Sequence, residues 1–284
     1  MFSFIAARKA EYPVSRMCSV LGVSQSGYHA HGKRPVSPRR RQDVALGVHV
    51  KAAFARSHET YGSPRIAREL QASGVMIGRR RTARLMRETG LNARRRQRFT
   101  RTTDSAHALS VAANLLAQDF TATAPNQKWG VDMSYIWTRQ GWLYLAVVID
   151  LYARRVVGWS VSDRMLTDLP LTALKHALAI GRPAPGLIHH SDRGSQYCAA
   201  QYQKVLDDNQ IIRSMSGKGN CYDNAMVETF FKTIKTELIW KTSFQTRDQA
   251  TQAIARYIDG FYNPIRRHSA LNYMSPMQFE KLKT

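Results

Sequence analysis

The feature that most constrains the fold is an almost uninterrupted apolar run, WLYLAVVIDLY, at residues 142–152. A run of this length is typical of a strand that is buried on both faces of a sheet. Segments rich in β-branched and aromatic residues lie on either side of it, at 128–138 and 155–163. Because the connections between them are short, the three strands are predicted to form an antiparallel meander.

Helical and strand patterns alternate after this meander. Apolar residues recur at helical spacing at 166–180 and 195–208, and short strand-like runs occur at 186–190 and 211–215. A long amphipathic helix is predicted at 223–240. This order of elements predicts an α/β fold, a ribonuclease-H-like mixed sheet with helices on both faces.

Three acidic residues occupy positions that suggest a shared role. Asp132 lies in the middle of the first predicted strand, Asp192 follows a later strand, and Glu228 lies in the first turns of the last long helix. These positions can converge at one edge of the sheet, where three carboxylates would repel one another unless a divalent cation held them. The pattern therefore predicts a Mg²⁺ or Mn²⁺ site.

Each acid also has a simpler interpretation when it is considered alone. Asp192 can cap the helix that follows it, and Glu228 can pair with Lys232 one turn further along its helix. Asp132 can be a polar residue of an edge strand.

The last long helix carries cations on the same face as Glu228. Lys232 and Lys235 follow it at i+4 and i+7, opposite the apolar stripe, and we expect both to hold the DNA backbone. Asp223 is expected to cap this helix. Arg193, next to Asp192, is predicted to contact phosphate near the site.

His189 and His190 also lie close to Asp192. As neighbours on a strand they face opposite ways, so we expect structural or supporting roles for them rather than metal ligation.

The charge balance points to a polyanionic partner. The chain has 42 Lys and Arg against 20 Asp and Glu, a net charge of +22, and most of this excess lies in the first 104 residues. No apolar window is long enough to span a membrane, and no signal peptide is evident, so a cytoplasmic protein is expected. The three cysteines are far apart, which disfavours a disulfide framework or a cysteine zinc site.

The first third of the chain is predicted to be all-α, with two helix-turn-helix units. In the first, at 13–31, Gly22 supplies the turn; the alternative is an ordinary helical hairpin. In the second, at 61–90, Pro64 begins one helix and Gly74 ends it. Five arginines then follow on a second helix, and phosphate contact is predicted for them in preference to a merely solvated face: Arg79, Arg80, Arg81, Arg84 and Arg87.

The C-terminal tail contains a second basic patch. Arg266, Arg267 and His268 follow the turn signal Asn263-Pro264. Arg266 and Arg267 are assigned to DNA contact, with packing of the tail against the catalytic core as the alternative.

Composition also suggests where the chain divides. The basic, proline-containing segment 31–42 and the segment 93–108 lack an apolar period and are expected to be extended or loosely ordered. The predicted divisions are a helix-turn-helix-like segment (1–32), a basic linker and helix (33–60), a second DNA-binding unit (61–98), a linker (99–124), the catalytic core (125–243), and a C-terminal helix and tail (244–284).

Four motifs together resemble a known family. WGVDMSYI, HHSDRGSQY, GNCYDNAMVETFFKTIKTEL and YNPIRRHSALNYMSPMQFE are similar to the catalytic-subunit (OrfB-type) transposases of the IS-three group of bacterial insertion sequences. These enzymes are retroviral-integrase-like members of the DDE superfamily. The spacing of the three acids agrees with that superfamily, and the resemblance covers nearly the whole chain. Met133, Ser134 and Asn272 are small departures from the family pattern.

The resemblance implies a mechanism and partners. Asp132, Asp192 and Glu228 would be catalytic and would bind two Mg²⁺ ions, which Mn²⁺ can replace. The reaction would be phosphodiester cleavage at the element ends followed by strand transfer, which is DNA integration. Double-stranded DNA, both terminal inverted repeats and target, would be the substrate. The protein would act as a homo-oligomer on DNA in the bacterial nucleoid, with an upstream helix-turn-helix subunit joined to it by a frameshift fusion.

Two other functions remain open from the sequence. One is a DNA-binding regulator whose catalytic fold is inert, although the intact acids disfavour it. The other is a ribonuclease H or structure-specific nuclease, which the arginine-rich first third disfavours.

Overall fold

A five-stranded mixed sheet forms the centre of the molecule, for which a computed structural model describes residues 1–33, 35–93, 111–217 and 221–282. Its strands are β1 (Lys128–Thr138), β2 (Gly141–Asp150), β3 (Arg155–Ser162), β4 (Ile188–Ser191) and β5 (Ile212–Met215). They are arranged in the order β3-β2-β1-β4-β5. The first three strands are antiparallel, whereas β4 lies parallel to β1 and β5 parallel to β4. The predicted meander and mixed sheet are confirmed.

Helices cover both faces of this sheet. The helices of the core are α7 (Asp168–Gly181), α8 (Ser195–Cys198), α9 (Ala200–Asp208), α10 (Ala225–Glu237) and α11 (Arg247–Tyr257). The first three pack around Trp129 and Val131 of β1 on one side. The last two pack around Ile136 and Leu145 on the other side. Because β2 is buried from both sides, it needs the nearly continuous apolar sequence that identified it.

Within residues 1–33 and 35–93 the N-terminal third forms six helices: α1 (Phe2–Arg8), α2 (Val14–Val20), α3 (Gln25–Lys33), α4 (Pro38–Arg56), α5 (Ser63–Ala72) and α6 (Arg79–Glu88). The expected glycine turns are present, with φ of +63° at Gly22 and +81° at Gly74. Helix α1 was not expected.

The expectation that residues 31–42 are extended or loosely ordered is wrong at both ends, because α3 continues to Lys33 and α4 begins at Pro38. The side chain of Ser37 caps α4 by accepting from the Arg40 N–H, which is why a helix begins in so basic a segment. The expected linker at 93–108 lies outside the described residues except for Ala93.

Residues 38–88, called here the three-helix unit, share one apolar core, which continues into the α10–α11 side of the sheet. Polar contacts fix this junction. Glu69 accepts from Arg267 Nε at 2.7 Å, the Tyr61 hydroxyl accepts from the Arg267 N–H at 2.6 Å, and Lys241 donates to the His58 carbonyl at 2.9 Å. The three-helix unit is therefore packed on the core rather than suspended beside it.

The C-terminal tail returns across the sheet. Helix α11 continues as a π-helical turn, Ile258–Tyr262, and the last described helix is α12 (Pro276–Lys281), where Ser275 and Gln278 form a capping box. The Asn263 side chain both accepts from and donates to the backbone of Val156, so it fastens the tail to β3. None of the helices in the described ranges has the length and apolar character needed to cross a membrane.

Substitution of Gly158 by alanine is expected to destabilise the protein. Helix α7 lies so close to β3 that a Cβ at position 158 would collide with the Ala173 carbonyl oxygen and lie 2.7 Å from the Ala177 nitrogen. Overpacking of this kind costs about 1–3 kcal/mol in free energy of unfolding.

Urea unfolding measures this effect, and Gly47 supplies the control. A Cβ at Gly47, within α4, meets nothing within 4 Å, so Gly47→Ala is expected to stabilise the helix by about 0.5–1 kcal/mol. Equal effects at the two glycines would contradict the close packing of α7 on β3.

Candidate metal centre and DNA-binding surface

Strand register brings Asp132 and Asp192 to the same level of the sheet. In the parallel pair β1–β4, Gly130 lies opposite His190, and each acid lies two residues beyond its member of that pair. Asp192 directly follows Ser191, the last residue of β4, so it is one position closer to its strand than the sequence suggested. Neighbouring parallel strands thus carry the two carboxylates to one place.

Helix α10 brings Glu228 to the same place. A Cβ on Gly130 would lie 2.7 Å from Val227, which shows how tightly the start of α10 packs on β1. Glu228 is the next residue, in the first turn of α10. Asn224, just before the helix, donates to the Val131 carbonyl at 3.0 Å and fixes the helix start against the strand.

The three acids interact electrostatically. Burial raises the pKa of Asp132 well above its usual range, the charge of Asp192 raises it further, and Glu228 adds to the effect. Lys235 opposes the shift, as does the hydrogen bond that Asp132 accepts from the Met133 N–H at 2.7 Å. The pKa of Asp132 therefore depends on the charges of both other acids.

Two of the carboxylates have other hydrogen-bond partners. Glu228 accepts from Lys232 Nζ at 2.9 Å, and Asp192 accepts from the Gly194 N–H at 2.9 Å. Across the described ranges, no three acidic, histidine or cysteine side chains lie close enough together to hold a metal ion. The carboxylate oxygens of Asp132, Asp192 and Glu228 are donors of the kind that a hard cation such as Mg²⁺ prefers.

The two lysines of α10 differ in their surroundings. Lys232 is partly exposed beside Glu228, but Lys235 is buried, with its ammonium 5.0 Å from the centre of the Tyr135 ring. Burial lowers the pKa of Lys235 to about 8, and the negative charge of Asp132 opposes the shift. Lys235 itself is only 4% exposed, so the prediction that it contacts the DNA backbone is wrong.

Loops around the acids are tied together by residues whose roles the sequence did not reveal. Asp223 does not cap α10; it is buried and accepts from the Gly217 N–H and the Asn114 amide. Arg193 donates to the Ser216 carbonyl at 2.8 Å, which links the ends of β4 and β5. The Tyr197 hydroxyl is buried without a hydrogen-bond partner among the described residues, and its pKa is raised by burial and then by Asp132 and Asp192.

The two histidines of β4 pack in the interior. His189 shares a hydrogen bond with the Tyr202 hydroxyl at 2.9 Å. His190 lies between the hydroxyls of Ser214 and Ser216, at 2.8 and 3.2 Å. Both are buried, and these contacts agree with the structural role expected for them.

His189 is expected to make stability depend on pH. Burial lowers its pKa from 6.5 to about 3. Between these two values His189 is protonated in the unfolded chain but neutral in the folded protein. The stability contribution is therefore complete above pH 6.5 and falls as the pH drops, by about 1.4 kcal/mol per pH unit. Asp150, whose pKa burial raises to about 6, changes stability in the opposite direction.

A variant isolates the effect of His189. His189→Gln keeps a partner for Tyr202 but cannot take up a proton. Urea unfolding between pH 7.5 and pH 4.5 should show the difference in stability between wild type and variant shrinking, then reversing in favour of the variant. A constant difference across this range would contradict the assignment.

Arginines of α6 divide into two groups. Arg79, Arg80 and Arg87 are exposed. Arg81 and Arg84 are instead half-buried, and both pair with Asp43 of α4 at 2.8 Å. These two ion pairs hold α6 against α4. Asp43 lies about forty residues before the arginines, so no local feature of the sequence indicates the pairing.

The basic patch of the tail faces inwards. The Arg266 side chain is 2% exposed and pairs with Glu237, while Arg267 binds Glu69 and the Tyr273 carbonyl. The prediction that Arg266 contacts DNA is therefore wrong, and for Arg267 too the structure favours the alternative, packing of the tail.

Comparisons with known proteins agree with this architecture. The family model described as an integrase core domain matches residues 122–221, a second integrase core model matches 209–276, and an HTH-like domain model matches 40–99. A 31 kDa protein of insertion element IS600 from Shigella sonnei is 46% identical over 265 residues, which cover 93% of this chain and 97% of that protein. Transposase InsF of insertion sequence IS3A from Escherichia coli K12 is 43% identical over 281 residues, 98% of each chain.

Solved structures show a more distant likeness. The HTLV-2 integrase catalytic core domain, solved in complex with magnesium in its trimeric form, gives a TM-score of 0.44 at 15% identity, covering 56% of this chain and 99% of that one. The simian T-cell lymphotropic virus intasome with a PP2A regulatory subunit gives a TM-score of 0.47 at 16% identity, covering 62% and 60%.

Proposed function

Because this chain belongs to the IS3 family of insertion-sequence transposases, we propose that Asp132, Asp192 and Glu228 are the acidic triad with which it cuts and joins DNA. The chain is a transposase with an integrase core and an HTH-like domain, and its function is transposition through DNA integration. One observation carries the assignment of the triad. Asp132 on β1 and Asp192 directly after the neighbouring parallel strand β4 each lie two residues beyond the paired residues Gly130 and His190, and the charges of Asp192 and Glu228 both raise the pKa of Asp132.

The cofactor in this proposal is a pair of Mg²⁺ ions, for which Mn²⁺ can substitute. The three acids would hold the ions, and bound ions supply Lewis-acid stabilisation to an in-line displacement at a phosphodiester. Lys232, which now neutralises Glu228, would then be free to contact the DNA backbone beside the site. Arg193 would keep the loop after β4 in place through its bond to Ser216.

DNA is the proposed substrate of both halves of the chain. The exposed arginines of α6, Arg79, Arg80 and Arg87, would contact phosphates and position the duplex. The element's terminal inverted repeats and the target would be bound in the bacterial nucleoid by a homo-oligomer, joined by a frameshift fusion to an upstream helix-turn-helix subunit. Light scattering of the DNA complex tests the oligomer, and a monomeric active complex would contradict it.

The test of the triad is an assay of cleavage and joining on DNA that carries the ends of the element. Wild-type protein should cut and join in Mg²⁺ or Mn²⁺ and stop when EDTA is added. Asp192→Asn should be inactive under all conditions. Asp208→Asn, which removes an exposed carboxylate of α9, is the matched control and should keep full activity.

Failure of this assay would point to one of the other functions. If wild type and Asp192→Asn both bound element ends without joining them, the chain would be a DNA-binding regulator. If an RNA–DNA hybrid were cut in preference to element ends, it would be a ribonuclease H or a structure-specific nuclease.

A further inference from the structure

A basic cavity separate from the acidic triad lies where three parts of the molecule meet. It has a volume of about 230 Å³ and lies between α5, the β2–β3 turn, α10 and the C-terminal tail. Drug-sized ligands usually fill about 300–1,000 Å³, so this cavity suits a smaller group. Water takes up about 30 Å³ per molecule in the liquid, so several water molecules or one tetrahedral anion would fit.

Three arginines reach this cavity, one from each part: Arg65 of α5, Arg154 of the β2–β3 turn and Arg266 of the tail. Among the described residues that line it there is no aspartate or glutamate. Glu237 neutralises Arg266 and lies 3.9 Å from Arg65, so a single carboxylate serves two of the three cations. The cavity therefore keeps a net positive charge.

Arg154 differs from the other two arginines in its surroundings and in its backbone conformation. It is half-buried, and its guanidinium has no hydrogen bond or ion pair with any other residue that the structure describes. Its backbone has a φ of +57°, a left-handed conformation that is unfavourable for residues other than glycine. A turn with an unfavourable backbone conformation thus places a guanidinium without a described partner at the cavity, and a partly desolvated charge is costly unless a partner compensates it.

His268 is affected by the positive charge of the same three arginines. It is buried at the cavity and accepts from Arg266 Nη1 at 3.3 Å. Its pKa is lowered to about 2, by burial first and then by the positive charges of Arg266, Arg65 and Arg154. The neutral imidazole therefore adds no charge of its own, and the arginines alone set the preference of the cavity for an anion.

We propose that this cavity is a phosphate-binding site in which the Arg154 guanidinium is the principal ligand. Planar guanidinium groups bind phosphate oxygens in a bidentate manner. The phosphate would belong either to a DNA backbone or to a free phosphate ion. In both cases it would bridge the three-helix unit, the catalytic core and the tail, and the site does not depend on the assignment of the acidic triad.

Thermal unfolding in phosphate tests the site. The full-length protein is compared in sodium phosphate and in sodium chloride at equal ionic strength. Phosphate should raise the unfolding midpoint of wild type by about 2–4 °C, and Arg154→Gln should lose that shift. Arg182→Gln is the matched control, since Arg182 is exposed and also has a positive φ, +44°; it should respond as wild type does.

The midpoint in chloride separates ligand binding from a purely structural role. Because Arg154 lacks a protein partner among the described residues, Arg154→Gln should be at least as stable as wild type in chloride. If the variant were less stable in chloride and still showed the full phosphate shift, the proposal would be overturned. Phosphate shifts of equal size in wild type, Arg154→Gln and Arg182→Gln would overturn it too.

Binding of a fluorescent duplex then identifies the source of the phosphate. If the ligand is a DNA phosphate, Arg154→Gln should weaken duplex binding several-fold and reduce the salt dependence by about one phosphate contact, unlike Arg182→Gln. If the ligand is free phosphate, duplex affinity should be unchanged while the thermal shift is lost. These readouts are of binding and stability, so they stand whether or not the triad assignment survives its own test.

Discussion

Substitution of Asp132 by asparagine is expected to abolish DNA cleavage and joining while raising the stability of the metal-free protein. Burial and the charges of Asp192 and Glu228 raise the pKa of Asp132, so its ionised form costs stability at neutral pH. Asparagine removes that charge and can still accept from the Met133 N–H. Loss of a metal ligand should reduce the rate by at least about 100-fold, the upper range for residues that only support a ligand.

Thermal unfolding in EDTA and in millimolar Mg²⁺, together with a strand-transfer assay, measures both effects. Mg²⁺ should stabilise wild type and the Asp208→Asn control but not Asp132→Asn. If Asp132→Asn were inactive in Mg²⁺ and also less stable than wild type in EDTA, structural damage would explain its loss of activity. An undiminished response to Mg²⁺ would remove Asp132 from the proposed ligands.

Substitution of Glu237 by alanine is expected to cause the largest loss of stability. Glu237 accepts from Arg266 Nε and from the Tyr257 hydroxyl, both at 2.8 Å, and lies in the interior at the junction with α5. Burial alone would raise its pKa, but the hydrogen bonds and charge of Arg266 hold that pKa below its usual range. Without Glu237, Arg266 is left as an uncompensated buried cation, which costs about 3–5 kcal/mol.

A double variant separates charge from packing. Replacement of both Glu237 and Arg266 by methionine should recover most of the lost free energy of unfolding, because both charges of the buried pair are removed together, whereas Arg65, 3.9 Å from Glu237, is partly exposed. The Tyr257 hydroxyl would still lack its acceptor, which accounts for a residual loss of about 1 kcal/mol. If urea unfolding showed additive losses from the two substitutions, the buried pair would not be the source of the effect.

Elements whose signal is local were predicted well from the sequence. The apolar run of β2 and the β-branched segments beside it follow from burial on both faces of a sheet, and all three strands lie where the pattern places them. The glycine turns of the N-terminal third depend on one residue's φ, so they too can be recognised. The prediction of α10 extended too far, because the polar residues before Ala225 fold as a 3₁₀ turn in which Asp223 serves the neighbouring loops.

Roles that depend on distant partners were not predictable. A run of arginines has the same composition whether it faces DNA or a carboxylate in the same chain. Arg81 and Arg84 form ion pairs with Asp43, and Arg266 forms one with Glu237. Arg267 pairs with Glu69, which lies 198 residues away in the sequence. Asp132, unlike these arginines, could be singled out from the sequence alone. A carboxylate in the middle of a buried strand is costly unless a cation or a hydrogen-bond donor compensates it.

The junction between the three-helix unit and the core has a consequence for chimaeric enzymes. Tyr61 and Glu69 on one side meet Arg267 on the other, and the His58 carbonyl meets Lys241. A three-helix unit grafted from a relative would bring its own side chains to positions 61 and 69, while the host kept those at 241 and 267. A chimaera designed to bind a different DNA sequence should therefore take the residues on both sides of this junction from the same parent. Otherwise the contacts that fix the three-helix unit on the core will be lost.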